Sequence, residues 1–273
     1  MIKAGICTIT LARYSPESII AFASETGLQG MEWWGGEHVP PGDISTAQKV
    51  GNLTRSTGLE VASYGAYYRA GISESEGLSF NDILASASAL GAPAIRVWAG
   101  DKDTSQADSS YIQKVVDDTH RIADMAAAQD ISITFEFHGG SLTDNSANAV
   151  AFSKRVPHPN VFFSWQPPHG YDLLHKLHGL IGLIDRLSTL HTYHWTIGSY
   201  EANTLNETIR PLVYPDDFHR HPLSDGENHW KKYFKIASQT RRDHFALLEF
   251  VKNDTLAQAR EDAATLIRLT NGF

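Results

Sequence analysis

"IKAGICTITLARYSPESIIAFASETG", residues 2–27, contains one complete strand–helix unit. The apolar run IKAGICTI predicts a buried strand. Ser15 is expected as the N-cap of the helix that follows, Pro16 as its first residue and Gly27 as its terminator. An open doubly wound sheet normally carries a glycine-rich phosphate turn after its first strand, and CTITLARYSPE contains none.

The same strand–helix pattern recurs along the chain. Seven more strands are predicted, at LQGMEWW, LEVASYG, AIRVWAG, SITFEFH, VFFSWQ, STLHTYHW and HFALLEFV. Amphipathic segments separate them, which gives eight strands and eight helices. Strict alternation predicts an α/β protein with a parallel sheet, and eight units predict a single (β/α)8 TIM barrel over residues 1–273. The longest irregular stretch, about 196–227, follows the seventh strand and is expected to be a lid or an oligomer contact.

The composition and net charge limit the classes of binding partner. The 273 residues carry a formal net charge of -8, which disfavours nucleic acid and anionic membranes as partners. No apolar run approaches the roughly 20 residues of a membrane helix. The single cysteine, Cys7, excludes an intramolecular disulfide, and without an apolar leader the chain is expected to be cytoplasmic. A small-molecule substrate is therefore expected.

Polar residues cluster at the ends of the predicted strands, where TIM barrels build their active sites. The first, third and fourth strands end in Cys7 and Thr8, Tyr64 and Gly65, and Arg96 and Trp98. The fifth to eighth strands end in Glu136 with His138, Gln166 with His169, His191 with His194, and Glu249.

Glu136 and Glu249 lie within apolar runs, where a carboxylate is costly to bury unless a positive group meets it. Two explanations are open: a structural salt bridge, for which Arg96 is an available partner, or a divalent metal ion. Two glutamates with a histidine and an amide oxygen on the intervening strands favour the metal. Such a mixed oxygen and imidazole shell suits Mn, Mg, Co or Zn.

The seventh strand offers two histidines, His191 and His194, in the sequence HTYHW. Residues three apart on a strand face opposite sides, so only one of them can point into the barrel. His191 is the favoured ligand and His194 is the alternative.

These strand ends resemble the xylose isomerase-like barrel superfamily of sugar isomerases and epimerases, which also contains nucleases of the endonuclease IV type. The resemblance covers essentially the whole chain. In the branch related to D-tagatose 3-epimerase, one metal ion is held by a Glu, an Asp, a His and a Glu after strands five to eight. The matching residues are Glu136 of TFEFHGG, His191 of LHTYHW and Glu249 of LLEFVKND.

The aspartate of the family normally begins an Asp-x-x-His motif. Gln166 and His169 keep that spacing, but an amide replaces the acid. The resemblance implies that His169 contacts substrate. Gln166 is expected either to complete the metal shell or to bind substrate while water completes the shell.

The resemblance implies a metal-dependent isomerase or epimerase of a sugar or sugar phosphate, in which Glu136 and Glu249 exchange protons with a carbon next to a carbonyl. The remaining substrate contacts are expected from His169, His138, Arg96, Trp98, Tyr64, His194, Trp195 and Lys252, with Trp33 as an alternative aromatic wall. The resemblance also implies a homo-oligomer, either a dimer or a tetramer.

Three rival functions are open, and the first of them uses the same pocket. A dehydratase or lyase would abstract the same proton and then expel a leaving group. A nuclease would need further histidines after strands two to four, where Trp33, Tyr64 and Trp98 stand. A non-catalytic binding protein would result if Gln166 had destroyed the metal site.

Overall fold

A computed structural model describes residues 1–197 and 218–273, so residues 198–217 of the predicted long loop lie outside the described residues. Eight parallel strands close into a barrel. In chain order they are β1 (Ile2–Cys7), β2 (Gly30–Trp34), β3 (Glu60–Arg69), β4 (Ala94–Trp98), β5 (Ser132–Glu136), β6 (Val161–Trp165), β7 (Leu187–Thr192) and β10 (His244–Leu248). Around the barrel they follow the order β1, β10, β7, β6, β5, β4, β3, β2. The predicted closed barrel is confirmed.

All eight predicted helices are present. They are α1 (Pro16–Thr26), α2 (Ile44–Ser56), α3 (Phe80–Leu90), α4 (Ser109–Ala127), α5 (Ser146–Arg155), α6 (Leu173–Gly182), α7 (Glu227–Ala237) and α8 (Leu256–Thr270). The first begins and ends as predicted: the Ser15 side chain accepts a hydrogen bond from the backbone N–H of Ser18, and Gly27 is left-handed with φ 81°. None of the helices in residues 1–197 and 218–273 is both long and apolar enough to cross a membrane.

Two strand ends differ from the predictions. The third strand does not stop at Gly65 but continues to Arg69, with a register shift against β4 between those two residues. The seventh strand stops at Thr192, and Trp195–Ile197 forms a separate strand, β8. β8 pairs antiparallel with β9 (Phe218–Arg220) in a two-stranded sheet outside the barrel.

Alternate residues of the barrel strands face opposite sides. On β5, Phe135 contacts Phe152 of α5 with ring centroids 5.2 Å apart. Its neighbour Thr134 faces inward, and the Thr134 hydroxyl lies 3.0 Å from the hydroxyl of Ser164 on β6. The Ser164 hydroxyl accepts a hydrogen bond from Thr189 on β7. The apolar core therefore lies between strands and helices, and hydroxyl groups line the barrel interior one layer beneath the strand ends.

Candidate active site

The C-terminal ends of the barrel strands open into a cleft of about 1490 Å³. This is the end of a TIM barrel at which active sites are built. The predicted site residues that line it are Arg96, Trp98, Glu136, His138, Gln166, His169, Trp195, Glu249 and Lys252. Tyr67, Tyr193 and Phe218 add aromatic surface to the same cleft.

His191 lies beneath this cleft between two glutamates. Its Nδ1 is 3.4 Å from Oε1 of Glu136 and 3.3 Å from Oε2 of Glu249. The His191 side chain is fully buried, and the two glutamates are 3% and 6% exposed. The structure thus brings together the histidine and both glutamates that were predicted from three different strand ends.

The other side of the His191 ring faces Glu32 of β2, a residue that the sequence analysis did not select. Nε2 of His191 is 3.6 Å from Oε2 of Glu32, and the buried thiol of Cys7 lies in the same group. A carboxylate within the apolar run GMEWW is the same signal that pointed to Glu136 and Glu249. The signal was present in the sequence, and it would have identified Glu32.

Arg96 connects two of these glutamates. Its Nε donates to Oε1 of Glu32 at 2.7 Å, and its Nη1 donates to Oε2 of Glu136. Burial raises the pKa of Glu32, but the charges of Arg96 and His191 and the hydrogen bond from Ser63 together outweigh burial and lower the pKa to about 2. The same opposition leaves the pKa of Glu136 well below its ordinary value. The structural salt bridge considered as an alternative to a metal is therefore present, and it occupies one oxygen of Glu136 while the other faces His191.

Gln166 stands where β6 ends and is 7% exposed. Its Nε2 donates to the carbonyl oxygen of Phe137 and lies 3.4 Å from Oε1 of Glu136. A carbonyl can only accept, so this contact fixes which end of the amide is nitrogen. The amide oxygen is buried and has no hydrogen-bond partner in the described part of the chain.

The donor set fits a divalent cation. Both ring nitrogens of His191 lack a hydrogen-bond partner within residues 1–197 and 218–273, as does Oε1 of Gln166. Each unpaired buried group costs roughly 1–3 kcal/mol. Glu136, His191 and Glu249 offer ligand atoms that all lie within 4.8 Å of one another. Two carboxylates would balance the charge of a divalent ion, and the imidazole and oxygen ligands suit Mn, Mg, Co or Zn.

His138 and Trp98 stand together at the edge of this cluster. The Trp98 indole N–H donates to Oε2 of Glu136 at 2.5 Å. The ring centroids of Trp98 and His138 lie 4.8 Å apart. Nδ1 of His138 lies 2.5 Å from the carbonyl oxygen of Gly139, an acceptor, so this nitrogen carries a proton. The exposed imidazole is thereby oriented with Nε2 left over for another partner.

His169 lies in an aromatic stack. Its ring is parallel to Trp195 within 6°, with centroids 5.0 Å apart, and it also stacks on Tyr193. The Tyr193 hydroxyl bonds the Pro167 carbonyl at 3.0 Å and lies 3.3 Å from Nε2 of His169. Burial lowers the pKa of His169 to about 3, so the ring is neutral at physiological pH.

The turn after β10 forms one side of the cleft. Phe250, Asn253 and Asp254 have left-handed backbones, with φ of 49°, 60° and 50°. Such residues cost on the order of 1–2 kcal/mol each, and backbone strain of this kind clusters at active sites. Arg220 of β9 joins the turn to the small sheet: its Nη1 is 2.5 Å from Oδ1 of Asp254, and its guanidinium lies 4.8 Å from the Phe250 ring centroid.

Three residues that were predicted to contact substrate do not line the cleft that the described residues form. The Tyr64 hydroxyl donates to the carbonyl of Val39 within the packed core, and Tyr67 lines the cleft instead because β3 runs on past Gly65. Trp33 is fully buried with its indole N–H directed at Thr54 of α2. His194 follows the end of β7 and packs against Gly226, outside the cleft lining given by the described residues and 5.5 Å from the His221 ring.

Comparison with known proteins identifies relatives of this chain. Residues 20–269 match the protein family described as the xylose isomerase-like TIM barrel. A curated 3-dehydroshikimate dehydratase from Bacillus anthracis is 24% identical over 170 residues, which cover 58% of this chain and 59% of that protein. The aligned part thus spans less than two thirds of the relative's length.

Solved structures share the fold along nearly the whole chain. The probable 3-DHS dehydratase AsbF from Bacillus anthracis has a TM-score of 0.76 at 21% identity and covers 97% of this chain and 98% of its own. A D-psicose 3-epimerase solved in the presence of D-fructose has a TM-score of 0.66 at 15% identity, covering 99% and 98%. A xylose isomerase-like TIM barrel protein from Mycobacterium smegmatis in complex with magnesium has a TM-score of 0.66 at 14% identity, covering 93% and 88%.

Proposed function

Because the chain belongs to the xylose isomerase-like TIM barrel family, we propose that it is a metal-dependent enzyme that removes a proton next to a carbonyl group and then eliminates water. The substrate class is a small polyhydroxylated carbonyl compound of the kind that 3-dehydroshikimate represents. The related dehydratase from Bacillus anthracis supports this class. The magnesium held by a structural neighbour supports the metal.

One observation carries the choice of elimination: the two glutamates have different partners. Both oxygens of Glu136 are engaged, by Arg96 and Trp98 on one side and by Gln166 on the other. Glu249 makes no side-chain hydrogen bond within the described part of the chain, and its polar neighbour is His191. Epimerisation with two bases needs an equally available carboxylate on each side of the reacting carbon. Elimination needs one base and one acid.

Glu249 serves as the base in this proposal. It takes the proton from the carbon next to the substrate carbonyl, and the electron pair of the broken C–H bond becomes the new C=C bond. The hydroxyl on the adjacent carbon leaves with its bonding pair and takes a proton from the imidazolium form of His138. One water is lost, and proton return from Glu249 to His138 through solvent resets the site. When bound to Glu136, His191 and Glu249, a divalent ion would polarise the substrate carbonyl.

His138 suits the acid role because its Nδ1 is anchored on the Gly139 carbonyl while its Nε2 is directed away. An orienting hydrogen bond of this kind fixes the ring of a general acid or base. His169, neutral and stacked on Trp195, supports a hydrogen-bonding role toward a substrate hydroxyl rather than proton transfer. Lys252, also in the cleft lining, is suited to contact an anionic substrate group.

The test supplies 3-dehydroshikimate with Mg²⁺ or Zn²⁺ in D₂O and analyses the products by mass spectrometry. We expect loss of one water and a conjugated product. Glu249→Gln and His138→Gln should each lower the rate by about 10²–10⁴, whereas Glu261→Gln, an exposed glutamate on α8, should leave it unchanged. Full activity in Glu249→Gln would rule out the assigned base.

Epimerisation of a ketose is the second candidate. The two carboxylates on either side of the Nδ1 atom of His191 favour it, as do the epimerases among the structural neighbours. Interconversion of D-psicose and D-fructose with deuterium uptake and without water loss would replace the proposed elimination by this reaction. The homo-oligomer and the cytoplasmic location stay predictions.

A further inference from the structure

Glu32 is buried beside the site without lining the cleft. Its side chain accepts hydrogen bonds from Ser63 on Oε2 and from Arg96 on Oε1, each at 2.7 Å. The carboxylate is 1% exposed. Glu32 thus acts as an acceptor through both of its oxygens.

The two nitrogens of the His191 ring face different acids. Nε2 points to Glu32 at 3.6 Å, and Nδ1 points between Glu136 and Glu249. A neutral imidazole has one N–H and one lone pair, and a metal ion binds only the lone pair. The partner of the N–H decides which nitrogen that is.

We propose that Glu32 is a positioning residue: its carboxylate lies 3.6 Å from Nε2 of His191, just beyond hydrogen-bond length, and its charge keeps the ring proton on Nε2, which presents the Nδ1 lone pair to a divalent cation between Glu136 and Glu249. This inference rests on the proposed function, because it presupposes the cation. Glu32 has no contact with the cleft and acts only through its neighbours. Both oxygens of Glu32 already accept hydrogen bonds, from Arg96 and Ser63. Glu249, on the Nδ1 side of the ring, makes no side-chain hydrogen bond in the described part of the chain, so the cation is directed to that side.

Glu32 also orients the second ligand. Arg96 donates to Glu32 through Nε and to Glu136 through Nη1. The two carboxylates therefore fix the position of the guanidinium together. This shared guanidinium leaves Oε1 of Glu136 facing Nδ1. Gly65 makes room for the pair, because a Cβ at this position would lie 2.7 Å from Nη2 of Arg96 and 2.9 Å from Oε1 of Glu32.

The first experiment measures Zn²⁺ affinity by competition with a chromophoric chelator. Glu32→Gln should bind Zn²⁺ about 10- to 100-fold more weakly than the wild-type protein, the usual effect of removing the partner that orients a metal-ligating histidine. Glu32→Asp should recover part of the loss, because it restores the charge. Glu261→Gln, an exposed replacement of the same type, should bind as the wild type does.

The second experiment uses the wild-type protein alone, so it does not depend on whether Glu32→Gln folds. ¹⁵N NMR of the histidine rings with Zn²⁺ bound, assigned by comparison with His191→Gln, should show the proton on Nε2 and Zn²⁺ on Nδ1. Coordination through Nε2, or equal Zn²⁺ affinity in a folded Glu32→Gln variant, overturns the role of Glu32 alone. A wild-type protein that takes up no Zn²⁺ overturns this inference and the metal of the proposed function together.

Discussion

Two groups of buried polar side chains at the strand ends differ in their hydrogen bonding. In one group, Glu32 of β2 accepts hydrogen bonds from Ser63 of β3 and Arg96 of β4. In the other group, Nδ1 of His191 and the amide oxygen of Gln166 are buried with no hydrogen-bond partner in the part of the chain that the structure describes. A satisfied group stabilises the fold as it stands, whereas an unsatisfied one gains a partner only when a ligand binds. We call Glu32, Ser63 and Arg96 the scaffold, and His191 and Gln166 with the neighbouring Glu136 and Glu249 the receptor.

The largest effect should come from breaking the scaffold at Arg96. Arg96→Met leaves Glu32 and Glu136 buried without their cation, and removing one partner of a buried ion pair costs about 3–5 kcal/mol. Urea denaturation measures the loss of unfolding free energy. Arg268→Met removes an exposed arginine from its pair with Glu227 and should lower the free energy of unfolding far less, because solvent screens an exposed ion pair. Similar losses in both variants would contradict the division into scaffold and receptor.

Filling the receptor should stabilise the protein by a comparable amount. Zn²⁺ at a hundred times its Kd should raise the free energy of unfolding by about 2.7 kcal/mol, because it binds the folded state. Thermal or urea unfolding with and without EDTA measures the difference. His191→Gln should abolish the rise, and a rise that persists in this variant would place the cation elsewhere.

Gly65→Ala should produce an intermediate effect within the scaffold. The new methyl group would crowd both Arg96 and Glu32, and overpacking of this kind costs about 1–3 kcal/mol. It should also weaken Zn²⁺ binding, because the crowded guanidinium holds Glu136. Gly58→Ala is the control: its φ of +81° makes it strained, but its Cβ meets nothing within 4 Å. Zn²⁺ affinity should fall in the first variant only.

Glu249→Gln should have the smallest effect on stability, below about 1 kcal/mol, because no side-chain hydrogen bond to Glu249 is present in residues 1–197 and 218–273. Glu136→Gln should cost more, because it breaks the bond to Arg96. Urea denaturation of the two metal-free variants measures this contrast. Equal losses would show that the two glutamates are held alike, which would remove the argument for a single base.

The sequence predicted the barrel and much of the receptor because both follow from position along strands. Glu136, His191 and Glu249 stand at strand ends, and parallel strands in a closed barrel bring their ends together. Glu32 was not predicted, because its neighbour Trp33 was assigned to the substrate pocket. Adjacent strand residues face opposite sides of a sheet, so placing Trp33 inward places Glu32 outward, against the signal of a carboxylate within an apolar run.

The other differences arise from tertiary pairing. Tyr67 replaces Tyr64 in the cleft because β3 extends beyond a register shift against β4. Trp195 belongs to a small sheet because it pairs with Arg220, which is 25 residues away along the chain. No local sequence pattern predicts that pairing. The extent of the single domain over residues 1–273 stays a prediction.

The chain's single cysteine, Cys7, ends β1 and lies in one group with Glu32 and His191. It is 1% exposed, and burial raises the pKa of its thiol well above the ordinary value, which suppresses the reactive thiolate. A thiol reagent can therefore modify the native protein only when the barrel opens around β1. Because the chain has no second thiol, the labelling rate measures how often that opening occurs. A lower labelling rate on adding a divalent ion would show how much the ion stabilises the closed barrel.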